Sequence, residues 1–254
     1  MCRHLAYLGT PASLAALLLD PPHSLVRQSY APALQRHGTV NVDGFGAGWY
    51  PQHRTDDPQH RTAPVRYRRA QPIWSDASFA SLAPAVEARC VLGAVRGGTP
   101  GFPADESCVA PFTHGPWLFS HNGKVTDWAR VRKTLREAVA DIPDALAPVD
   151  SAFLFGLAVA RWEGGDTLGG GLAGVMSDVA RAGGGWLNLL ATDGHHLAAT
   201  VHGDTLYLRT DPGSVVIASE PVDDDPAWTE LPPDSLVEAS LDGVTRTDLR
   251  VEHV

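Results

Sequence analysis

The sequence of 254 residues has few cysteines, no long apolar run and no excess of positive charge, and each absence excludes a class of protein. The three cysteines Cys2, Cys90 and Cys108 form an odd number without repeating spacing, which suits neither a disulfide framework nor a zinc site. No apolar stretch reaches the length of about 18 residues that predicts a membrane span. The first residues also lack the basic and apolar regions of a signal peptide.

The formal net charge of −9 argues against a protein that binds the phosphate backbone of nucleic acid. Neither nucleic acid nor a membrane is therefore expected as a partner, and a small-molecule substrate is. A reducing, cytoplasmic setting fits the cysteine usage. The sequence pattern leaves the oligomeric state open.

The order of apolar segments predicts the fold class. Apolar residues make up 44% of the chain and charged residues 19%, which is typical of a globular protein with a sizeable core. Short apolar strands come first, then helices, then strands again, without regular alternation of strand and helix. This order predicts an α+β fold with mostly antiparallel sheets and helices stacked against them, in a single domain over residues 2–254.

Local signals predict the individual elements. Thr10 and Pro11 are typical of the start of a helix. Thr126 is typical of a helix cap, and the helix that follows it is predicted to reach Ile142. Buried helices are predicted over residues 150–162 and around residues 172–179, and an exposed loop over residues 51–64. Predicted strands cover residues 4–8, 45–50, 65–70, 90–96, 116–123, 186–192, 196–201, 205–209, 214–219 and 236–240, the segment 116–123 running into a turn.

The first four residues, Met1-Cys2-Arg3-His4, carry the clearest chemical signal. Cys2 is small enough for removal of Met1 to be expected, which would leave a thiol and a free α-amino group on one residue. The α-amino group has a reference pKa of about 7.7–8.0, and an N-terminal amine is a recognised activator of a side-chain nucleophile. On position alone, the simpler explanation is favoured, namely that Cys2 is a small residue without a chemical role; the motifs further along the chain reverse this preference.

Three later stretches would complete a site if they converge on Cys2. Arg96 ends an apolar strand and could bind a carboxylate, or lie in solvent. Asn122 and Gly123 could supply two donors to an oxyanion, or form an ordinary Asn-Gly turn. Asp150 begins a predicted buried helix, where it could pair with a substrate ammonium or serve as a helix cap.

Taken together, these motifs resemble the class II glutamine amidotransferases, a branch of the N-terminal nucleophile (Ntn) hydrolases. The resemblance covers most of the chain and rests on the order of six motifs. They are Met1-Cys2, Asp43-Gly44-Phe45-Gly46, Arg96 in its strand-end motif, His121-Asn122-Gly123, Asp150-Ser151 and Ala218-Ser219-Glu220-Pro221. The resemblance implies a four-layer αββα sandwich, with two mostly antiparallel sheets between helical layers.

The resemblance also implies catalytic roles for three residues. Cys2 would be the nucleophile, and its freed α-amine the general base. Asn122 and the Gly123 N–H would form the oxyanion hole. The reaction implied is hydrolysis of a γ-glutamyl amide through a cysteine thioester, without metal or organic cofactor.

The family positions further imply a binding site for the γ-glutamyl group. Arg96 would hold its α-carboxylate and Asp150 its α-ammonium. Thr99 and His121 match further positions near the substrate.

One departure from the family pattern bears on the substrate. Gly97-Gly98 follow Arg96 where the family often has an aromatic or bulky residue, so the amide side has room for a group larger than glutamine's. Three hypotheses therefore stand. The chain is a self-sufficient γ-glutamyl amide hydrolase, a glutaminase subunit that delivers ammonia to a separate synthetase, or a catalytically silent γ-glutamyl-binding module.

Overall fold

A computed structural model describes residues 2–51 and 63–249, which form two antiparallel sheets and the helices that cover them. Met1 and most of the predicted loop over residues 51–64 lie outside the described residues. The strands are β1 (Arg3–Ser13), β2 (Phe45–Trp49), β3 (Val65–Arg69), β4 (Glu87–Val95), β5 (Phe112–His114), β6 (Trp117–Val125), β7 (Gly185–Thr192), β8 (Leu197–Val201), β9 (Tyr207–Asp211), β10 (Ser214–Ala218), β11 (Thr229–Glu230), β12 (Ser235–Ser240) and β13 (Gly243–Asp248). The helices are α1 (Leu14–Leu18), α2 (Leu25–Tyr30), α3 (Ala77–Leu82), α4 (Trp128–Leu135), α5 (Asp150–Glu163) and α6 (Leu168–Ala182).

The two sheets face each other across an apolar core. One sheet has the order β11-β9-β10-β1-β4-β2-β3 and the other β13-β12-β8-β7-β6-β5. Buried side chains from both sheets meet in between, among them Leu8, Leu92, Leu118 and Leu190. Their period of two along each strand places every second residue on this face.

Helices cover the outer face of each sheet. Residues of α1, α2 and α3 pack on the first sheet around Phe45 and Phe79. Helices α5 and α6 pack on the second sheet around Phe119 and Phe155. The result is the four-layer αββα arrangement that the sequence resemblance implies. None of the helices in residues 2–51 and 63–249 is long and apolar enough to cross a membrane.

The helix predicted from Thr10 begins later than expected. Strand β1 continues through Ser13, because Ala12 and Ser13 pair with β4 after an irregularity in register that follows Leu8. Helix α1 begins at Leu14, where the Ser13 hydroxyl accepts a hydrogen bond from the Ala16 N–H at 3.1 Å. Pairing with a distant strand thus outweighs the local signal of Thr10 and Pro11.

The predicted turn at Asn122-Gly123 is also wrong. Strand β6 runs on to Val125, because β7 pairs with it along its whole length as far as Gly185. The helix predicted from Thr126 is shorter than expected: the Asp127 side chain caps α4, which ends at Leu135. The buried helices α5 and α6 and most predicted strands are confirmed, whereas α2, α3, β11 and β13 had no clear sequence signal.

Candidate active site

Strand β1 holds Cys2 at the edge of the molecule's two-sheet core. The residue directly after it, Arg3, is fully buried, and its guanidinium lies 2.6 Å from Asp204 and 3.1 Å from the amide oxygen of Gln35. Glu220 adds a second carboxylate at 3.8 Å. A buried cation needs such partners, because an unpaired charge in the core is strongly destabilising. The position of Cys2 is therefore anchored by residues far away in sequence.

His4 continues this anchoring on the other side of Arg3. Burial is the main reason why the pKa of His4 is lowered to about 3, and the Arg3 charge and then His121 add to this effect. The imidazole of His4 is therefore neutral. Its Nδ1 lies 3.1 Å from the Ser120 hydroxyl of β6, and its backbone N–H donates to the Ser219 hydroxyl at 2.9 Å. These contacts tie the start of β1 to both sheets.

The backbone nitrogen of Cys2 is hydrogen-bonded to Asn122. It donates to the side-chain oxygen Oδ1 at 3.1 Å, and Asn122 itself is fully buried on β6. The amide nitrogen Nδ2 of Asn122 has no hydrogen-bond partner among the described residues. Because a buried donor without a partner costs about 1–3 kcal/mol, this nitrogen is a ready site for an oxygen of a bound ligand.

The N–H of Gly123 points toward a free edge of β6. In an antiparallel strand, the N–H and C=O groups of alternate residues point to the same side. The Leu187 N–H, opposite Gly123, donates to the carbonyl oxygen of His202, the residue after β8. The Val125 N–H donates to the Asp150 carboxylate at 3.0 Å. The odd-numbered residues of β6 therefore direct their N–H groups away from β7. Strand β5 covers only the first part of that edge.

Glycine is required at position 123 for a steric reason. A Cβ atom built there would collide with the backbone oxygen of Trp186 on β7 and would lie 2.6 Å from the His121 ring. The close approach of the strands explains the glycine without a turn. It also leaves the edge next to Cys2 unobstructed by a side chain.

His121 lies on the helical side of β6 and is held in one tautomer. Its Nε2 donates to the carbonyl oxygen of Trp186 at 2.8 Å, so Nδ1 accepts from the Ser151 hydroxyl at 3.0 Å. Burial lowers the pKa of His121, which keeps the ring neutral. His121 thus orients the hydroxyl of Ser151, a residue to which the sequence analysis gave no role of its own. Its position beside Asp150 was the available signal.

Asp150 is the first residue of α5 rather than its cap, which is Val149. Its carboxylate is buried and accepts the N–H groups of Val125 at 3.0 Å and Ser151 at 2.8 Å. A carboxylate has about four acceptor positions, so it retains capacity for a ligand donor. It lies along the same edge of β6 as Gly123.

Arg96 lies directly after β4 and is 6% exposed, so it is not a solvent-facing strand end. Its guanidinium donates to the carbonyl oxygen of Pro103 at 3.1 Å and approaches that of Asp43 at 3.5 Å. The Asp43 carboxylate accepts the Gly98 N–H at 2.6 Å, which holds the loop after Arg96 in place. Thr99 is half-buried in that loop, where its carbonyl oxygen accepts the Phe102 N–H.

A small cavity brings four of these side chains together. It is lined by Cys2, Arg96, His121 and Ser151, although Cys2 directly precedes β1 and the other three come from the loop after β4, from β6 and from α5. Asn122 and Asp150 adjoin the cavity through their hydrogen bonds to Cys2 and Ser151, and Gly123 lies between Asn122 and Val125 on β6. The arrangement can place a carbonyl carbon near the Cys2 thiol and its oxygen near two N–H donors.

Comparison with solved structures defines the class. The chain matches the glutamine aminotransferase class-II domain protein from Silicibacter pomeroyi with a TM-score of 0.68 and 26% identity, over 98% of this chain and 99% of that one. The glutamine phosphoribosylpyrophosphate amidotransferase of B. subtilis shares the fold, with a TM-score of 0.67 at 13% identity over 99% of this chain and 50% of that one. The fold is that of the class II glutamine amidotransferases, as the sequence resemblance implies. No protein-family model matches the chain.

Curated relatives narrow the class to a family. The chain is 46% identical over 240 residues to the γ-glutamyl-hercynylcysteine sulfoxide hydrolase of Mycolicibacterium smegmatis, covering 94% of this chain and 95% of the relative. It is 41% identical over 251 residues to the protein of the same name from Mycobacterium tuberculosis, covering 98% and 97%. The chain belongs to this family of hydrolases.

Proposed function

We propose that the protein hydrolyses the γ-glutamyl amide bond of γ-glutamyl-hercynylcysteine sulfoxide and releases glutamate, using Cys2 as the nucleophile. The observation that carries this proposal is the contact between the Cys2 nitrogen and Asn122 Oδ1 at 3.1 Å. The amide nitrogen of the same side chain has no hydrogen-bond partner within residues 2–51 and 63–249. The substrate is the one in the names of the mycobacterial relatives. The reaction would belong to ergothioneine biosynthesis, and the reduced thiol favours a cytoplasmic setting.

The first half of the reaction forms a thioester. After removal of Met1, the α-amine of Cys2 takes the thiol proton while the sulfur attacks the γ-carbonyl carbon. The oxygen gains negative charge next to Asn122 Nδ2 and the Gly123 N–H, which stabilise it as hydrogen-bond donors. The protonated amine then gives its proton to the leaving nitrogen, and the C–N bond breaks.

The second half releases glutamate. The same α-amine takes a proton from water, which attacks the thioester, and the oxyanion forms again against Asn122 and Gly123. The thiolate leaves and regains its proton from the amine. No step requires a metal or an organic cofactor.

The α-carboxylate and the α-ammonium of the glutamyl group are the parts of the substrate that the site recognises. We assign its carboxylate to Arg96, whose two protein contacts leave several of its five N–H donors available. We assign its ammonium to Asp150, with Ser151 oriented by His121. We assign Thr99, in the loop after Arg96, to the carboxylate. Such a charged pair distinguishes γ-glutamyl amides from simple amides.

The test is intact mass of the purified protein before and after incubation with 6-diazo-5-oxo-norleucine, a glutamine-like electrophile. A species without Met1 that gains one adduct is expected, and Cys2→Ala abolishes the adduct. The matched control is Cys90→Ala, because burial raises the pKa of Cys90 to about 12 and its thiol stays protonated. Retention of Met1 together with no adduct would contradict the proposal and favour the binding module.

Glutamate release from two substrates then distinguishes the remaining alternatives. The proposal predicts a much higher kcat/KM for γ-glutamyl-hercynylcysteine sulfoxide than for glutamine. Preferential hydrolysis of glutamine, stimulated by a partner protein, would favour the glutaminase subunit instead.

A further inference from the structure

Lys124 and Trp186 form a surface immediately beside the Cys2–Asn122 contact. Lys124 is two residues beyond Asn122 on β6, so both side chains point to the face between the sheets. Trp186 is the direct partner of Lys124 on β7, and the Lys124 ammonium lies 4.9 Å from its ring centre. Both side chains are half-buried. Neither is used by the mechanism described above.

His37 completes this surface from a different part of the chain. Its imidazole stacks on the Trp186 indole with ring centres 3.8 Å apart and an angle of 5° between the planes. Nearby, Gln35 accepts from the buried Arg3 guanidinium, and Asn41 donates to Gln35. The segment that carries His37 is therefore tied to the residue after Cys2. We call Lys124, Trp186 and His37 the indole surface.

The direction of proton transfer indicates which half of the substrate reaches the indole surface. The α-amine of Cys2 must protonate the leaving nitrogen, and that amine contacts Asn122 Oδ1 on the face of β6 shared with Lys124. The glutamyl half extends the other way, toward Asp150 and Ser151 at the edge of β6 and the start of α5. The amine half then leaves along the face between the sheets.

The chemistry of the amine half matches this surface. In the substrate named above, the carbon bonded to the scissile nitrogen carries a carboxylate, which suits an ammonium such as that of Lys124. Further out, the hercynyl group carries an imidazole ring and a trimethylammonium group. An indole face binds both a flat ring and a quaternary ammonium. His37 already stacks on one face of this indole, so the hercynyl group would be bound by the His37–Trp186 pair together.

We propose that the indole surface is the binding site for the amine half of the substrate. Lys124 pairs with the cysteinyl carboxylate, and Trp186 with His37 binds the hercynyl group. This inference rests on the proposed function, because it takes the substrate's amine half from it. It adds the residues that select a large amide substituent over the amide of glutamine.

The experiment compares three substrates that share the glutamyl half. The full conjugate has both recognition groups, γ-glutamylcysteine has only the carboxylate, and γ-glutamyl methylamide has neither. The variants are Lys124→Met and His37→Ala. Lys133→Met is the matched control, since Lys133 is the other lysine of the chain and lies exposed on α4.

Each variant has its own expected pattern. Lys124→Met raises KM about tenfold for the conjugate and for γ-glutamylcysteine relative to the methylamide, the cost of one lost charge contact. His37→Ala raises KM for the conjugate alone relative to the other two substrates. Lys133→Met behaves as the wild type with all three.

Two outcomes would overturn the inference, and they differ from failure of the proposed function. Equal changes with all three substrates would mean that Lys124 and His37 act on the fold or the chemistry rather than on the amine half. Unchanged KM values in both variants would leave the indole surface without a binding role. Failure of the proposed function has a different signature: the wild type itself would hydrolyse the conjugate no faster than the methylamide.

Discussion

The Cys2 backbone nitrogen and the Asn122 side chain, 120 positions apart in sequence, are joined by a hydrogen bond of 3.1 Å to Oδ1. This bond determines the orientation of the Asn122 amide, because Oδ1 faces the nitrogen of Cys2 and Nδ2 faces away from it. The same side chain can therefore orient the base and present a donor to a developing oxyanion. One residue therefore orients the proposed base and stabilises the proposed oxyanion.

The first prediction concerns this double role. Asn122→Asp keeps an oxygen that accepts from the Cys2 nitrogen but replaces the Nδ2 donor with an acceptor. We expect kcat to fall by about 10²–10³, the usual cost of losing one oxyanion donor. The measurement is steady-state glutamate release, with the thermal midpoint recorded to exclude unfolding. An unchanged kcat would mean that Asn122 donates nothing to the oxyanion.

The second prediction concerns the carboxylate assigned to Arg96. Arg96→Lys retains the charge but loses the planar fork that binds a carboxylate with two parallel hydrogen bonds. We expect KM for a γ-glutamyl amide to rise about tenfold or more. The control substrate is the matching 4-aminobutyryl amide, which lacks the α-carboxylate. If both substrates lose the same factor, Arg96 contributes to the fold rather than to recognition.

The third prediction concerns the buried ion pair behind the nucleophile. Arg3→Met leaves the Asp204 carboxylate buried without its partner at 2.6 Å, and we expect a loss of about 3–5 kcal/mol in the free energy of unfolding. Arg136→Met is the matched control, because Arg136 and its partner Glu137 are 72% and 89% exposed and such pairs contribute less than about 1 kcal/mol. Urea unfolding measures both. Equal losses would contradict a special role of Arg3.

The fourth prediction concerns pH. The folded protein holds the pKa of His4 at about 3, below the 6.5 of an exposed histidine, because burial disfavours the charged ring. The unfolded chain therefore binds one more proton between these values, and stability falls as pH drops from 6.5 toward 3. The slope from this residue is about 1.4 kcal/mol per pH unit.

The measurement is the free energy of unfolding at pH 7 and pH 5 for the wild type and His4→Gln. The variant is expected to lose less stability on acidification than the wild type, by up to roughly 2 kcal/mol over this interval. His195→Gln, in an exposed turn, is the control for removal of a histidine. A variant with the full wild-type pH dependence would show that His4 is not the titrating group.

Local pattern was sufficient for much of the secondary structure and for naming a set of candidate site residues. The apolar run of α5 predicted a buried helix, and the alternation in β3 predicted a strand, because those signals arise from neighbouring residues. The order of motifs from Cys2 to Asp150 indicated the family and the four-layer fold. The sequence also indicated a large amide substituent, through Gly97 and Gly98.

Tertiary structure alone decided the geometry. Asn122-Gly123 reads locally as a turn but lies within β6, since β7 pairs with it from a segment more than 60 residues away. Arg3 pairs with Asp204, which is 201 positions away in sequence. His37 stacks on Trp186, and the segment that carries His37 is held by the hydrogen bond between Arg3 and Gln35. Strand order and register select these partners, and both depend on burying one face of every strand at once. Local propensity carries no information about that choice, so candidate site residues could be named from the sequence and their contacts could not.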